Sequence, residues 1–332
     1  MTVSREVRLK RHPAGLPSAA DFEIVAVTLP EPGPGEVQVR NLWMTVDPYM
    51  RGRMAGGPSY TAPFALNEAM SGGAIGEVIR SKDERLRPGD LVRNFAGWRE
   101  AFNAPADHLQ KLDPAGLPPQ TYLGAAGMPG LTAYIGLVRI AALQPGETVF
   151  ISGAAGAVGS MAVQIAKLKG ARVIATARGP DKVAFLKEIG SDIAIDYAAA
   201  GNLAGVVAEA AGDGIDAYFD NVGGDHLEAA FEAAKTNARF AICGGISTYN
   251  DQTPPPGPRN FMMVVRKQIR IQGFLTGNHQ DLAPEYAERI KDWIVSGAVK
   301  VRETIAHGIE NAVPAFLQLF SGGNIGKMLV KL

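Results

Sequence analysis

Three glycines in the run Gly153-Ala154-Ala155-Gly156-Ala157-Val158-Gly159 stand at spacings that let a backbone approach a pyrophosphate. The apolar stretch TVFIS runs directly into this turn, the helical SMAVQIAKLKG follows it, and a second strand, ARVIATA, comes next. The whole reads as a strand–turn–helix–strand unit. Gly156 and Gly159 would admit the phosphates and let the helix pack closely on the strand. Ala155, Ala157 and Val158 would carry the turn into the helix N-terminus, with its free N–H groups and positive potential. Gly-rich turns also join strands to helices for steric reasons alone. Here the elements on both sides match the dinucleotide context.

At the end of the second strand an enzyme using NAD would place an acidic residue for the adenosine ribose hydroxyls. This chain has Ala177 and Arg178 there, with Lys182 four residues beyond. Two cations suit a ribose 2′-phosphate, so the expected cofactor is NADPH/NADP+. The competing reading is that Arg178 and Lys182 are solvated charges around a helix start. A lysine near a helix N-terminus is mildly unfavourable, which calls for a compensating anion.

Other chemistries lack their residues. Cys243 is the only cysteine, so neither an intrachain disulfide nor a thiolate zinc cluster can be assembled. The histidines at 12, 108, 226, 279 and 307 show no ligand spacing, and metal-free chemistry is expected. No G-x-S-x-G elbow and no G-x-x-x-x-G-K-[ST] loop occurs, which leaves acyl transfer and nucleotide hydrolysis without their usual turn.

The elements that must hold such a site can be read from pattern. A chain of 332 residues exceeds the size at which single cores stop growing, so two domains are expected. Residues 1–121 read as short strands and turns, among them EVQVRNLWMTV, GGAIGEVIR and DLVRNFAGW. Residues 122–300 alternate apolar strands (TVFIS, RVIATA, IAIDY, AYFDNV, RFAIC, IRIQGFL) with Ala- and Leu-rich helical segments, the pattern of a parallel sheet with crossover helices. The segment TPPPGPRN at 253–260 must be a loop between late strands. Residues 301–332 end in KMLVKL, a strand-like tail that could complete the first domain's sheet.

Composition narrows the partners. Lys plus Arg and Asp plus Glu both total 33, so there is no cationic excess for a nucleic acid or an anionic membrane. The longest apolar runs fall well short of the roughly 20 residues that span a bilayer. The start, MTVSREVRLKRHPAG, is basic without the apolar stretch of a secretory signal, and a cytoplasmic location is expected.

Taken together the chain resembles the medium-chain dehydrogenase/reductase superfamily, and within it the zinc-free prostaglandin and leukotriene reductases, plant double-bond reductases and bacterial curcumin-type reductases. The resemblance covers essentially the whole chain. It is carried by VDPYMRGRM (46–54), GMPGLTAYIGL (127–137), GAAGAVGSMAVQIAKLKG (153–170), DKVAFLKEIG (181–190), YFDNVGG (218–224), ICGGISTYN (242–250) and NIGKMLVKL (324–332). It implies an α/β architecture: a GroES-like β-rich domain from both chain ends (1–121 and 301–332) and an inserted doubly wound Rossmann domain (122–300) with a parallel sheet.

The resemblance also assigns residues. Lys182 and Tyr197 match positions that hold the 2′-phosphate end, and Asn221 matches one lining the cofactor groove. Asn324 matches a residue reaching the cofactor's phosphates or nicotinamide. Met128, Pro129 and Gly130 match the family's MPG turn, and Cys243, Gly244 and Ser247 to Tyr249 match the loop around the nicotinamide ribose. The chain departs from the family pattern at Arg178 and at Gly179-Pro180.

The reaction that the resemblance implies is reduction of the carbon–carbon double bond of an α,β-unsaturated ketone or aldehyde. Negative charge then develops on the carbonyl oxygen and needs a donor, for which Tyr249 and the nicotinamide ribose hydroxyl are expected. Tyr49 is either a second donor and wall or a packed aromatic. A quinone reductase and a non-catalytic NADPH-binding protein are the competing readings, and a homodimer joined through the cofactor domains is the family expectation.

Overall fold

A computed structural model describes residues 1–57 and 60–332 of the chain. It divides into two compact units. The first comprises Met1–Leu123, Glu303–Asn324 and Met328–Leu332, and the second comprises Gly124–Arg302 with Ile325–Lys327.

Numbered along the whole chain, the first unit opens with β1 (Thr2–Leu9), β2 (Phe22–Leu29), β3 (Glu36–Thr45), the short helix α1 (Met50–Arg53), and β4 to β7 (Ala74–Ser81, Leu91–Asn94, Ala101–Pro105, Gln110–Lys111). The second unit holds α2 (Met128–Ile135), β8 (Thr148–Ile151), α3 (Ala157–Leu168), β9 (Arg172–Ala177), α4 (Pro180–Glu188), β10 (Ile193–Asp196) and α5 (Leu203–Ala211). It continues through β11 (Ile215–Asp220), α6 (Gly224–Ala233), β12 (Ala234–Ile242), α7 (Met263–Arg266), β13 (Arg270–Gly273) and α8 (Ala283–Val295). The chain then returns as β14 (Glu303–His307), α9 (Ala312–Ser321) and β15 (Lys327–Lys331).

In the first unit β1 and β2 pair antiparallel, and a second, larger sheet is centred on β3. β3 pairs antiparallel with β4, β6 and β15, with Leu329 opposite Thr45, so the KMLVKL tail completes this sheet. Its core needs the returning segment as well. Phe316 of α9 is fully buried and meets Trp98 edge-on, their ring centroids 6.0 Å apart.

The second unit is a six-stranded parallel sheet in the order β10-β9-β8-β11-β12-β13. Its central strands β8, β9 and β11 are buried on both faces, which is why they read as near-continuous apolar runs. Alternate residues point opposite ways. Val149, Ile151, Val173, Ala175 and Phe219 pack on the side of α3 and α8, while Phe150, Ile174, Tyr218 and Phe240 pack on the side of α5 and α6. The fold is therefore the doubly wound α/β class expected. The chain proceeds outward from β8 through β9 to β10, then crosses back to place β11 on β8's other flank. That reversal opens a crevice beyond the carboxyl ends of β8 and β11, where open α/β sheets bind ligands.

The segment 253–260 forms no regular element and lies between β12 and β13. Among the described residues no helix is long and apolar enough to cross a membrane.

Candidate active site

The glycine turn leaves β8 at this crevice. Gly153 has φ +56°, and a Cβ there would lie 3.1 Å from Val222 Cγ2 and 3.3 Å from Asn221 Cβ. A Cβ on Gly159 would fall 2.4 Å from the Gly153 carbonyl oxygen and 2.6 Å from Ala154 Cα. These are backbone atoms, so only glycine lets α3 sit this close to the strand. Gly159→Ala is expected to cost roughly 1–3 kcal/mol by overpacking. Thermal denaturation checks this, and an unchanged midpoint would contradict the packing argument.

Gly156 is the N-cap of α3 and supplies no side-chain cap. The amides of Ala157, Val158 and Gly159 thus lack intrahelical acceptors at the positive end of a three-turn helix. Ala155 is buried, and its carbonyl accepts from Gly326 N at 2.8 Å, while Gly156 and Gly326 form an isolated β-bridge. Gly326 has φ +69°, with Arg302 O only 2.0 Å from where its Cβ would be. The segment Ile325–Lys327 is thereby pinned beside the turn, and Asn324 directly precedes it.

At the end of β9 the Arg178 side chain is exposed and Lys182 is half-buried. Gly179, at φ +87°, is the N-cap of α4, and its amide donates to Asp196 Oδ1 at 3.0 Å, so Gly179-Pro180 is a helix start. Desolvation, with the neighbouring Arg178 guanidinium second, holds the Lys182 ammonium below its ordinary pKa. Neither cation has a carboxylate partner within ion-pair distance among the described residues. A half-buried ammonium beside a like charge gains from any anion it can reach. Tyr197, at the end of β10, donates its amide to Ala177 O at 3.1 Å and sets its ring edge-on to buried His226, 4.9 Å between centroids. Burial pushes the His226 pKa down.

A third edge is built by the turn after β11. Asp220 is fully buried, and its Oδ1 accepts from Ser152 Oγ (2.8 Å), Tyr218 Oη (2.7 Å), Val222 N (2.9 Å) and Gly223 N (2.8 Å). Asn221 donates through Nδ2 to Ser152 O at 2.7 Å, which draws this turn to the end of β8. Sequence reading passed over Asp220. Its available signal was an acidic residue closing the apolar strand AYFD.

The loop after β12 carries Cys243, Gly244, Ser247 and Tyr249. Burial, with the Asp220 charge second, pushes the Cys243 thiol up to about 12, so it is neutral and unsuited to nucleophilic work. Ser247 donates through N and Oγ to the Val222 carbonyl, at 3.1 and 2.6 Å. Tyr249 is half-buried, and its hydroxyl accepts from Gly245 N at 3.4 Å. A Cβ on Gly244 would lie 3.0 Å from that hydroxyl. Desolvation raises the phenol's pKa, so Tyr249 stays protonated at neutral pH and can donate.

The remaining assigned residues do structural work that their motifs did not announce. Met128 opens α2 and is exposed, whereas Pro129 and Gly130 are buried. A Cβ on Gly130 would fall 2.0 Å from both Ala125 O and Tyr286 Oη, so this glycine makes room for the Tyr286 hydroxyl bonded to Ala125 O at 2.6 Å. In the first unit, Tyr49 starts α1 and packs against the buried cluster around Met50 and Phe316. Its pKa is raised by burial and then by Asp47, while the Arg53 guanidinium beside its hydroxyl opposes the rise. Arg53 is itself buried, donating from Nε to Ala62 O at 2.8 Å with its charge 4.0 Å over the Phe64 ring.

The sheet order, the glycine turn at its first strand and the uncompensated cations beyond its second define a dinucleotide-binding protein of the doubly wound class. Comparison makes this specific. Residues 5–112 match the family model described as N-terminal domain of oxidoreductase, and residues 157–292 match the one described as zinc-binding dehydrogenase. Prostaglandin reductase 1 of Bos taurus is 39% identical over all of both chains. The NADP(+)-dependent 2-alkenal reductase of Nicotiana tabacum is 40% identical, covering 98% of this chain and 97% of that protein. The crystal structure of CurA from Vibrio vulnificus in complex with NADPH superposes with a TM-score of 0.93 at 37% identity, covering 98% of each chain. The chain belongs to the medium-chain dehydrogenase/reductase superfamily, in the branch that contains the prostaglandin, alkenal and curcumin reductases. Among the described residues no group of three or more His, Cys, Asp or Glu side chains could hold a metal ion.

Proposed function

We propose that the protein is an NADPH-dependent reductase of the carbon–carbon double bond of α,β-unsaturated ketones and aldehydes. The observation that carries this reading is the full-length likeness to alkenal and prostaglandin reductases at about 40% identity. The geometry is consistent with it. The turn at 155–159 and the start of α3 would receive the pyrophosphate, Arg178, Lys182 and Tyr197 the 2′-phosphate end, Asn221 would line the cofactor groove and the 243–249 loop would surround the nicotinamide ribose. Asn324 and Met128 to Gly130 complete the assigned cofactor shell.

NADPH held by these residues would supply a hydride to the substrate's β-carbon. The double-bond electrons move onto the carbonyl oxygen as an enolate, and this chain must then stabilise that charge. We assign Tyr249 to this role, because its hydroxyl accepts from Gly245 N and so has its own proton left to donate. We assign Tyr49, whose hydroxyl lies beside the Arg53 guanidinium, as a second donor or wall for the substrate. The α-carbon then takes a proton, and no metal enters the scheme.

The position of the added hydrogen tests this directly. With NADPH deuterated at nicotinamide C4 and an enone, the label is expected at the β-carbon of a saturated ketone. Label at the carbonyl carbon of an allylic alcohol would overturn the reading.

The proposal extends to a cytoplasmic homodimer. β13 is an edge strand with every residue exposed, and Phe261, Met262, Val265, Ile271 and Leu275 present apolar surface on and around it. Such an edge invites pairing with another copy. Val265→Asp combined with Ile271→Lys is expected to turn a dimer into a monomer by light scattering. A wild-type protein that is already monomeric would contradict the dimer.

A further inference from the structure

Resting on the Tyr249 assignment, the geometry points to Asp220 as the positioning residue that fixes the Tyr249 loop relative to the end of the sheet. We infer this from two linked layers of hydrogen bonds. In the first, Asp220 Oδ1 gathers the four donors from Ser152, Tyr218, Val222 and Gly223, and Ser152 Oγ in turn accepts from Asn221 N at 2.9 Å. The conformation of residues 220–223 is thereby set by one buried carboxylate oxygen.

In the second layer, the carbonyls of those residues carry the loop. Cys243 N and Gly244 N donate to Asp220 O at 2.8 and 3.0 Å, and Ile246 N donates to Asn221 O at 3.3 Å. Ser247 N and Oγ both donate to Val222 O. Tyr249 follows two residues later, its hydroxyl returned to Gly245 N. A hydroxyl serving a developing oxyanion must be held to a fraction of an ångström, and this chain of bonds is what holds it. Asp220 touches neither substrate nor cofactor in this assignment; it acts through the carbonyls it orients.

Asp220 Oδ2 is buried without a hydrogen-bond partner among the described residues, and an isosteric amide would weaken all four bonds at Oδ1 by removing the charge. Asp220→Asn is therefore the informative variant. If it does not fold, Ser152→Ala removes one donor to Asp220 and the acceptor of Asn221 N while leaving the carboxylate.

Two readouts separate this inference from the reading it rests on. In hydrogen exchange of the full chain without cofactor, the amides of 243–249 are expected to exchange at least about tenfold faster in either variant, with β9 unchanged; equal exchange would overturn the inference whatever the activity. In enone kinetics, Asp220→Asn is expected to lower kcat at least about tenfold with the NADPH-over-NADH preference intact. In a Tyr249→Phe background the same change should cost under about threefold. An undiminished effect in that background would mean that Asp220 does not act through Tyr249. If Tyr249→Phe alone leaves enone kinetics unaltered, the catalytic assignment of Tyr249 fails, and the exchange result still decides whether Asp220 holds the loop.

Discussion

Tyr249→Phe is expected to lower kcat/KM for enones by about tenfold or more while leaving NADPH affinity nearly unchanged. The removed group is one hydroxyl aimed at charge that exists only as the reaction proceeds, and deleting such a donor typically costs a few kcal/mol of transition-state stabilisation. Phenylalanine keeps the half-buried ring in place, so the loop should retain its packing. The bond from Gly245 N is lost, while the backbone bonds from Cys243, Gly244, Ile246 and Ser247 that hold the loop stay in place. Steady-state kinetics with the two cofactors and one enone check the split. A variant with wild-type kcat/KM would remove Tyr249 from the chemistry.

Lys182→Ala is expected to weaken NADPH by roughly 1.5–3 kcal/mol, the usual worth of a hydrogen bond to a charged group, and to leave NADH nearly untouched. The half-buried ammonium is held below its ordinary pKa by desolvation and by Arg178, a combination that favours an added anion. The loss should therefore appear in KM and Kd for NADPH. Titration of each nucleotide into the variant measures it. Equal loss for NADPH and NADH would mean that Lys182 does not read the 2′-phosphate.

The doubly wound sheet was legible because central parallel strands buried on both faces carry apolar runs, as TVFIS, RVIATA and AYFDNV do in VFI, VIA and AYF. β12 begins earlier than its apolar half RFAIC suggests: Ala234 pairs with Ile215, and an irregular stretch separates that pair from Ala217 opposite Arg239. β13 ends at Gly273, short of the apolar run IRIQGFL, because an edge strand has a single neighbour to hold its length.

Glycine spacing is a backbone property, so the turn at 153–159 could be seen in the sequence. Gly130 could not be interpreted there: the group that needs its missing side chain is the hydroxyl of Tyr286, far away in the chain. Asp220 was hidden for the same reason. Its four donors come from positions 152, 218, 222 and 223, and only the pairing of β8 with β11 brings the first of them to the others. The Arg53 guanidinium beside Tyr49 was likewise invisible as a charge effect, because both arginines of VDPYMRGRM are buried and nothing in the segment says which of them lies beside the hydroxyl.

The central claim is tested most directly by following loss of reduced-nicotinamide absorbance with NADPH and NADH separately against enones, enals, quinones and saturated ketones. The account predicts that enones and enals oxidise NADPH, that NADH is much poorer, and that saturated ketones do not react. Turnover confined to quinones or saturated ketones, or NADPH binding with no turnover on any acceptor, would contradict it.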